Sequence, residues 1–433
     1  MNKITLDQAL ELVKSHDRII TGLGGGEAKG FMTRLHEVLN KVDDISITTC
    51  LSLGNYEFMK PEYQDKISMY SLFYNKNMRE ANKTNHNAVY CPSHLHLCGK
   101  WHLEAYGNPN IFIVTVSPFN KHGYCSMAFG SVYERRCLEA ADMVIVEVNK
   151  NAPFVLGDTV IHESEIDYYY EVDLPLPQLP VVPVSEKDQK IGEYIAEYIK
   201  DGDTLQLGIG GIPNALCPYL MEKKNLGIHT EMLTSGVVDL VKAGVVTNRE
   251  KTLNRNLIVA SFMLGDQNLY DFVDNNPSVR FLDCYYVNMP SVMAQNDNMV
   301  SINTALEVDL SGQCCSESIG PVQFSGTGGQ TDTAVGAQHA KNGRSFIALH
   351  STATIKLADG SQKVVSKIVP MLKPGAYVTL SRNDVDMVVT EYGVAKLKGV
   401  DMFNRVKRLI AIAHPDFREE LMQQAKEMGI YKD

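Results

Sequence analysis

A stretch near the start of the chain, HDRIITGLGGGEAKGF (His16 to Phe31), can be laid on a later one, GDTLQLGIGGIPNALC (Gly202 to Cys217), at a constant offset of 186 residues. Asp17 then meets Asp203, and Gly22, Gly24 and Gly25 meet Gly208, Gly210 and Gly211. Each stretch follows an amphipathic helical segment opened by a capping pattern, Thr5 with Gln8 and Ser185 with Asp188. Helix, strand, glycine turn and helix are therefore written twice. A second pair, ADMVIVEVN (Ala141 to Asn149) and VDMVVTEYG (Val385 to Gly393), predicts an apolar strand closing each half. Near-continuous apolar runs such as IFIVTV, MVIVEV and NLIVASFML suit a parallel sheet covered on both faces. Between the halves DLPLPQLPVVPV carries Pro175, Pro177, Pro180 and Pro183, which predicts an extended linker. The expectation is two similar α/β domains with largely parallel sheets, residues 1–183 and 184–433. Their interface is the default place for a ligand cleft.

A net charge of −10 argues against a nucleic-acid partner. It leaves room for an anionic ligand, because glycine loops and helix N-termini can hold phosphates locally. The opening MNKITLDQALELVKSHDRII lacks the apolar core of a signal peptide, and no run reaches the ~20 apolar residues of a membrane span. Nine cysteines with no CxxC pair fit reduced thiols in a cytoplasm. HLHLCGKWH (His94, His96, His102) lacks a second closely spaced ligand pair, so a zinc site is disfavoured there.

Neither glycine turn is a dinucleotide fingerprint: the sixth position is Glu27 in the first and Pro213 in the second. Neither supplies the GK[ST] of a nucleotide loop. A tight strand-to-helix turn is the plain reading of the first. The second, LGIGGIPNAL, together with FSGTGGQTD (Phe324 to Asp332), brackets a stranger feature. In LGIHTEMLTSG a glutamate, Glu231, shares a face with His229 on a mostly apolar strand. A strand-end charge reaching solvent or capping the next helix is one reading; a chemical role is the other, since burying a carboxylate alone is costly.

A glutamate of ordinary pKa, ~4.3, is ionised at neutral pH and is a nucleophile needing no general base. Its best electrophile is an activated acyl group such as a thioester. Attack makes a mixed anhydride, with an oxyanion that glycine-loop amides could stabilise. The expelled thiolate can return to the glutamyl carbonyl, leaving a thioester on the protein. A second acid reverses the sequence, with no need for ATP or a metal.

GIHTEM, with GIGGIPNA upstream and GTGGQTD downstream, resembles the acetyl-CoA hydrolase/transferase family of class I CoA-transferases. The similarity extends to SPFNKHGYCSMA (Ser117 to Ala128), EYGVAKLKG (Glu391 to Gly399) and IAHPDFREEL (Ile412 to Leu421). It is strongest to the branches acting on 4-hydroxybutyrate and on butyryl-CoA with acetate. The resemblance implies two similar domains with the active site between them and Glu231 as the nucleophile that becomes a glutamyl-CoA thioester. Coenzyme A is then substrate and covalent intermediate, with no permanently bound cofactor and no metal. Gly208, Ile209, Gly210, Gly211 and Ile212 match the family's CoA-binding loop, and Gly329 matches a glycine at the thioester end. Leu306 matches a CoA-contacting position, and Asn288 falls where relatives carry an asparagine near CoA. One departure stands out: where some relatives have a lysine after STA, this chain has Thr354, with Lys356 as the nearby substitute.

The expectation is a cytoplasmic enzyme, working as a homo-oligomer (a dimer) on acyl-CoA and short-chain acids. An acyl-CoA hydrolase is the nearer alternative and a non-catalytic CoA-binding protein the remoter one. His229 is expected to orient or pack. SPFNKHGY is expected to turn at the domain interface, with Lys121 or His122 reaching substrate as the lesser possibility. Trp101 and Tyr168 to Tyr170 are expected to pack or to make subunit contacts, not to stack on a base.

Overall fold

The computed structural model describes residues 1–180, 183–208 and 210–432. Two eight-stranded sheets organise it. The first runs, in spatial order, Asn2–Lys3, Tyr168–Val172, Met143–Asn149, Ile111–Val116, Arg18–Thr21, Ile45–Thr49, Ile67–Ser71 and Ala88–Tyr90, all neighbours parallel. The second runs Val279–Phe281, Ile258–Met263, Gly227–Leu233, Thr204–Leu207, Met299–Thr304, Arg344–Ala348, Met387–Thr390 and Gly393–Lys396. Only its last pair is antiparallel. Ile111–Val116 and Ile258–Met263 are buried at every position, as cover on both faces requires.

The repeat is topological. Arg18–Thr21 and Thr204–Leu207, the strands before the two glycine turns, each stand fourth from the Ala88 or Val279 edge. Both expected capping boxes form, Thr5 with Gln8 and Ser185 with Asp188. Ile19 pairs with Ile47 and Leu205 with Ile228, so three residues further on Cys50 and Glu231 occupy equivalent places. The second sequence match does not follow this symmetry. Met143–Asn149 is the second neighbour of Arg18–Thr21, whereas Met387–Thr390 is the third neighbour of Thr204–Leu207. Burial on both faces selects the same apolar residues in both strands. Each glutamate then finds a backbone amide: Glu147 accepts from Gly30 N–H at 2.7 Å and Glu391 from Ser351 N–H at 2.8 Å.

Residues 173–180 of the proline-rich segment form neither helix nor strand. They are pinned more than expected of a solvated linker: Leu179 N–H donates to Gly265 O at 2.9 Å, and the Tyr270 hydroxyl donates to Pro177 O. Val181 and Val182, beside the expected boundary, lie outside the described residues. The two halves also share apolar clusters. Met232, Phe262 and Cys284 pack with Phe112, Val114 and Val146 of the first sheet, while Phe129 and Val155 pack with the second. Such an interface holds two sheets in a fixed relation. Among the described residues no helix is long and apolar enough to cross a membrane.

Candidate active site

In each sheet the chain winds away in both directions from the strand before the glycine turn, and ligands of open α/β sheets bind beyond the carboxyl ends at such a reversal. Here both reversals face one cavity of about 330 Å³. Leu23, Cys50, Leu51 and Phe73 line it from the first half, and Gly208, Glu231, Met232, Phe262 and Leu306 from the second. Its wall is mostly apolar.

Glu231 lies late in the strand Gly227–Leu233. The neighbouring Thr204–Leu207 pairs only as far as Ile228, so the two strands part and the Glu231 side chain enters the cavity. The Asn288 amide donates to its Oε2 at 2.6 Å, and the Gly329 N–H also bonds the carboxylate. Loss of solvation, with a smaller contribution from the Asp332 charge, pushes the acid up to about 7 despite these donors. The ordinary pKa expected from sequence is therefore corrected: near neutral pH this is a poorly solvated carboxylate on the edge of protonation. A side chain on Gly329 would collide with Glu231 Oε2 and Asn288 Nδ2.

His229 is fully buried and its Nε2–H donates to Val287 O at 2.8 Å. Burial, helped by Lys251, pulls its pKa down to about 3, so it stays neutral. It fixes the short helix Cys284–Val287, whose following residue is Asn288. His229 thus ties the strand to the helix before Asn288, and Asn288 touches Glu231 directly.

The second glycine turn opens on an adjoining cavity of about 290 Å³ lined by Gly210, Gly211, Ile212, Asp188, His350 and Lys367, with Leu306 lining both cavities. Ile209 lies outside the described residues. Gly210 has φ +116°, in the region that favours glycine, and a Cβ on Gly211 would lie 2.8 Å from Asp188 Oδ2. Replacing Gly210 with valine therefore strains the turn and should raise KM for acyl-CoA in a protein that still melts cooperatively; an unchanged KM would remove this turn from the binding site.

Lys356 lies exposed on the hairpin Thr352–Lys356/Gln362–Ser366 and lines neither cavity; Lys367 is the lysine at the glycine turn. Lys121 and His122 are exposed on the turn after Ser117 and also line neither cavity, while Ser117 to Asn120 face a groove shared with Tyr270 and Asp271. Trp101 is exposed, and Tyr170 is buried with its hydroxyl donating to Glu147 at 2.7 Å. Sequence reasoning missed Cys50, Asp332, His96 and Lys367. The topological repeat signals Cys50. His96 and Asp332 stand inside motifs already singled out, but nothing in either motif says that they meet.

Two reversed parallel sheets closing on one glutamate, with amide donors on its carboxylate and a glycine turn alongside, define the class of CoA-transferase-like α/β proteins. The chain belongs to the acetyl-CoA hydrolase/transferase family: the N-terminal domain of that family matches residues 2–182 and the C-terminal domain residues 265–425. Glu231 falls between the two matches. A 4-hydroxybutyrate coenzyme A transferase of Clostridium kluyveri is 44% identical over 98% of this chain and 97% of its own length. A succinyl-CoA:cyclohexane-1-carboxylate CoA transferase of Geobacter metallireducens is 40% identical, over 98% of this chain and 94% of that protein. The crystal structure of RipA from Yersinia pestis superposes with a TM-score of 0.91 at 35% identity, covering 99% of this chain and 97% of that one.

Proposed function

We propose that this protein transfers coenzyme A between short-chain acyl-CoA and free carboxylates through a thioester on Glu231. The observation that carries this reading is the convergence of Asn288 and Gly329 on the one carboxylate facing an apolar cavity. Glu231 attacks the acyl carbonyl, the C–S bond breaks and CoA leaves as thiolate. The thiolate then attacks the glutamyl carbonyl of the mixed anhydride, releasing the first acid and leaving Glu231 as a CoA thioester. The donors that hold the carboxylate are placed to take the negative charge on its oxygen in that second attack. A second carboxylate reverses both steps. CoA enters as substrate and leaves as product.

The adenosine end of CoA would follow Leu306 toward the second glycine turn, where Lys367 and His350 supply the basic contacts expected of Lys356. Relatives act on different acids, so 4-hydroxybutyrate is the proposed acid, with butyrate and acetate as the alternatives. A panel of acyl-CoA donors against these acids decides, and CoA release with no added acid would make the protein a hydrolase. We further propose residues 1–183 and 184–433 as the two domains and a homodimer as the assembly; sedimentation tests the latter.

The Glu231 acid near 7 gives a pH signature. Its carboxylate is the reactive form, so kcat/KM should fall about tenfold per unit below pH ~7. A flat profile between pH 5 and 8 would exclude this carboxylate as the attacking group.

A further inference from the structure

The loop that carries Gly329 belongs to the second half of the chain, yet the first half holds it. Tyr74 N–H donates to Ser325 O at 3.2 Å, the Tyr90 hydroxyl accepts from Thr327 N–H at 2.9 Å, and Leu95 N–H donates to Gly328 O at 3.0 Å. Immediately beyond, the helix Leu95–Tyr106 begins with no side-chain cap of its own. Its cap comes from across the cleft: Asp332, 1% exposed, accepts from His96 N–H at 3.2 Å. The His96 ring nitrogen Nδ1 lies 2.9 Å from Asp332 Oδ1, and His94 Nδ1 lies 3.6 Å from it. A carboxylate at a helix N-terminus is held by the free amides and the helix dipole together.

Asp332 also opens the helix Gln330–His339, directly after Gly329. The same carboxylate therefore ties the first half to the loop that touches Glu231 and places a like charge near that nucleophile. From this arrangement we infer that His96 and Asp332 form a cross-domain latch that positions Gly329 and sets the charge environment of Glu231. The inference rests on Glu231 as the nucleophile. The other groups facing the pair are His94 from the same helix start, and Cys284 and Tyr285 from the short helix that precedes Asn288. Cys50 and Cys284 face Glu231 itself.

The two members act in opposite senses. A negative charge near Glu231 disfavours its carboxylate, so Asp332 makes the nucleophile harder to ionise. The His96 ring nitrogen, 2.9 Å from Asp332 Oδ1, draws on that carboxylate from the other side. Two positioning residues in different domains would then tune one reacting group, and a displacement of either domain would be felt at Gly329.

The test is the pH dependence of kcat/KM for acyl-CoA in wild type, Asp332→Asn, His96→Leu, the double variant and Glu231→Gln. Asp332→Asn, of the same shape, should move the acid limb down by roughly half a unit to one unit. His96→Leu should move it up by a similar amount and lower kcat, while in the Asp332→Asn background the same change should leave the limb where Asp332→Asn put it. His96→Asn, which keeps a neutral donor near the Nδ1 position, gives the same comparison if the leucine variant does not fold. If Glu231→Gln transfers CoA normally, the nucleophile assignment itself is wrong. If Glu231→Gln is inactive but the acid limb stands still in the Asp332 and His96 variants, the latch alone is overturned.

Discussion

Glu231→Gln should abolish transfer, lowering the rate by several orders of magnitude, while CoA still binds. The amide keeps the shape of the carboxylate and can still accept from Asn288, but it has no anionic oxygen to attack a thioester. Wild-type protein incubated with acyl-CoA and no acceptor should carry CoA on the Glu231 peptide as the thioester, CoA minus one water, detected by mass spectrometry. Borohydride should reduce that thioester and end activity; the variant should show neither. Transfer at near wild-type rate by Glu231→Gln would refute the mechanism.

The same substitution has a stability consequence. The folded acid, near 7, binds its proton more tightly than the unfolded one, near 4.5. Between those values the native state holds more protons than the unfolded state, so stability falls as pH rises through the window. Above pH 7 the ionised side chain costs up to about 3 kcal/mol, which glutamine does not incur. Glu231→Gln should therefore melt roughly a few degrees higher at pH 8 and no higher at pH 4.5. In the proposed mechanism this poorly solvated carboxylate is a site where function opposes stability.

Gly329→Ala should be the next most damaging change. Its φ of −102° is open to alanine, so the backbone itself is not strained. The obstacle is the space, because the added methyl group would overlap Glu231 Oε2 and Asn288 Nδ2. Either the loop retreats, taking its amide off the carboxylate, or Glu231 swings away from Asn288. Reacting geometry is sensitive at about the 1 Å scale, and one lost oxyanion donor typically costs about 10² to 10³ in kcat. We expect a fall of that order in kcat, little change in KM because the second glycine turn is untouched, and a near-normal melting temperature. Wild-type kcat would show that this close approach is not used.

Much of the architecture was legible in the chain itself. The apolar runs declare parallel strands, because only residues buried on both faces can be apolar at every position. The repeat at the two glycine turns declares two similar halves, since a turn followed by a helix must be encoded locally. Glu231 was legible as an anomaly, and the motifs around it marked the family. The DMV match marked two buried strands but not equivalent places in the two sheets, because burial alone makes strands alike.

What the chain could not declare depends on residues far apart in sequence. The Glu231 acid is near 7, not near 4.3, because desolvation and the Asp332 charge are properties of the assembled site. Lys367 and not Lys356 lines the cavity at the glycine turn, because the hairpin carries Lys356 out to its exposed tip while Lys367 follows its base. His96 meets Asp332 only because the second half caps a helix of the first. Local sequence determined the strands, the turns and the glutamate that stands out among them; the packing of one sheet against the other decided how that glutamate is charged, held and approached, since solvation and field arise only when distant segments meet.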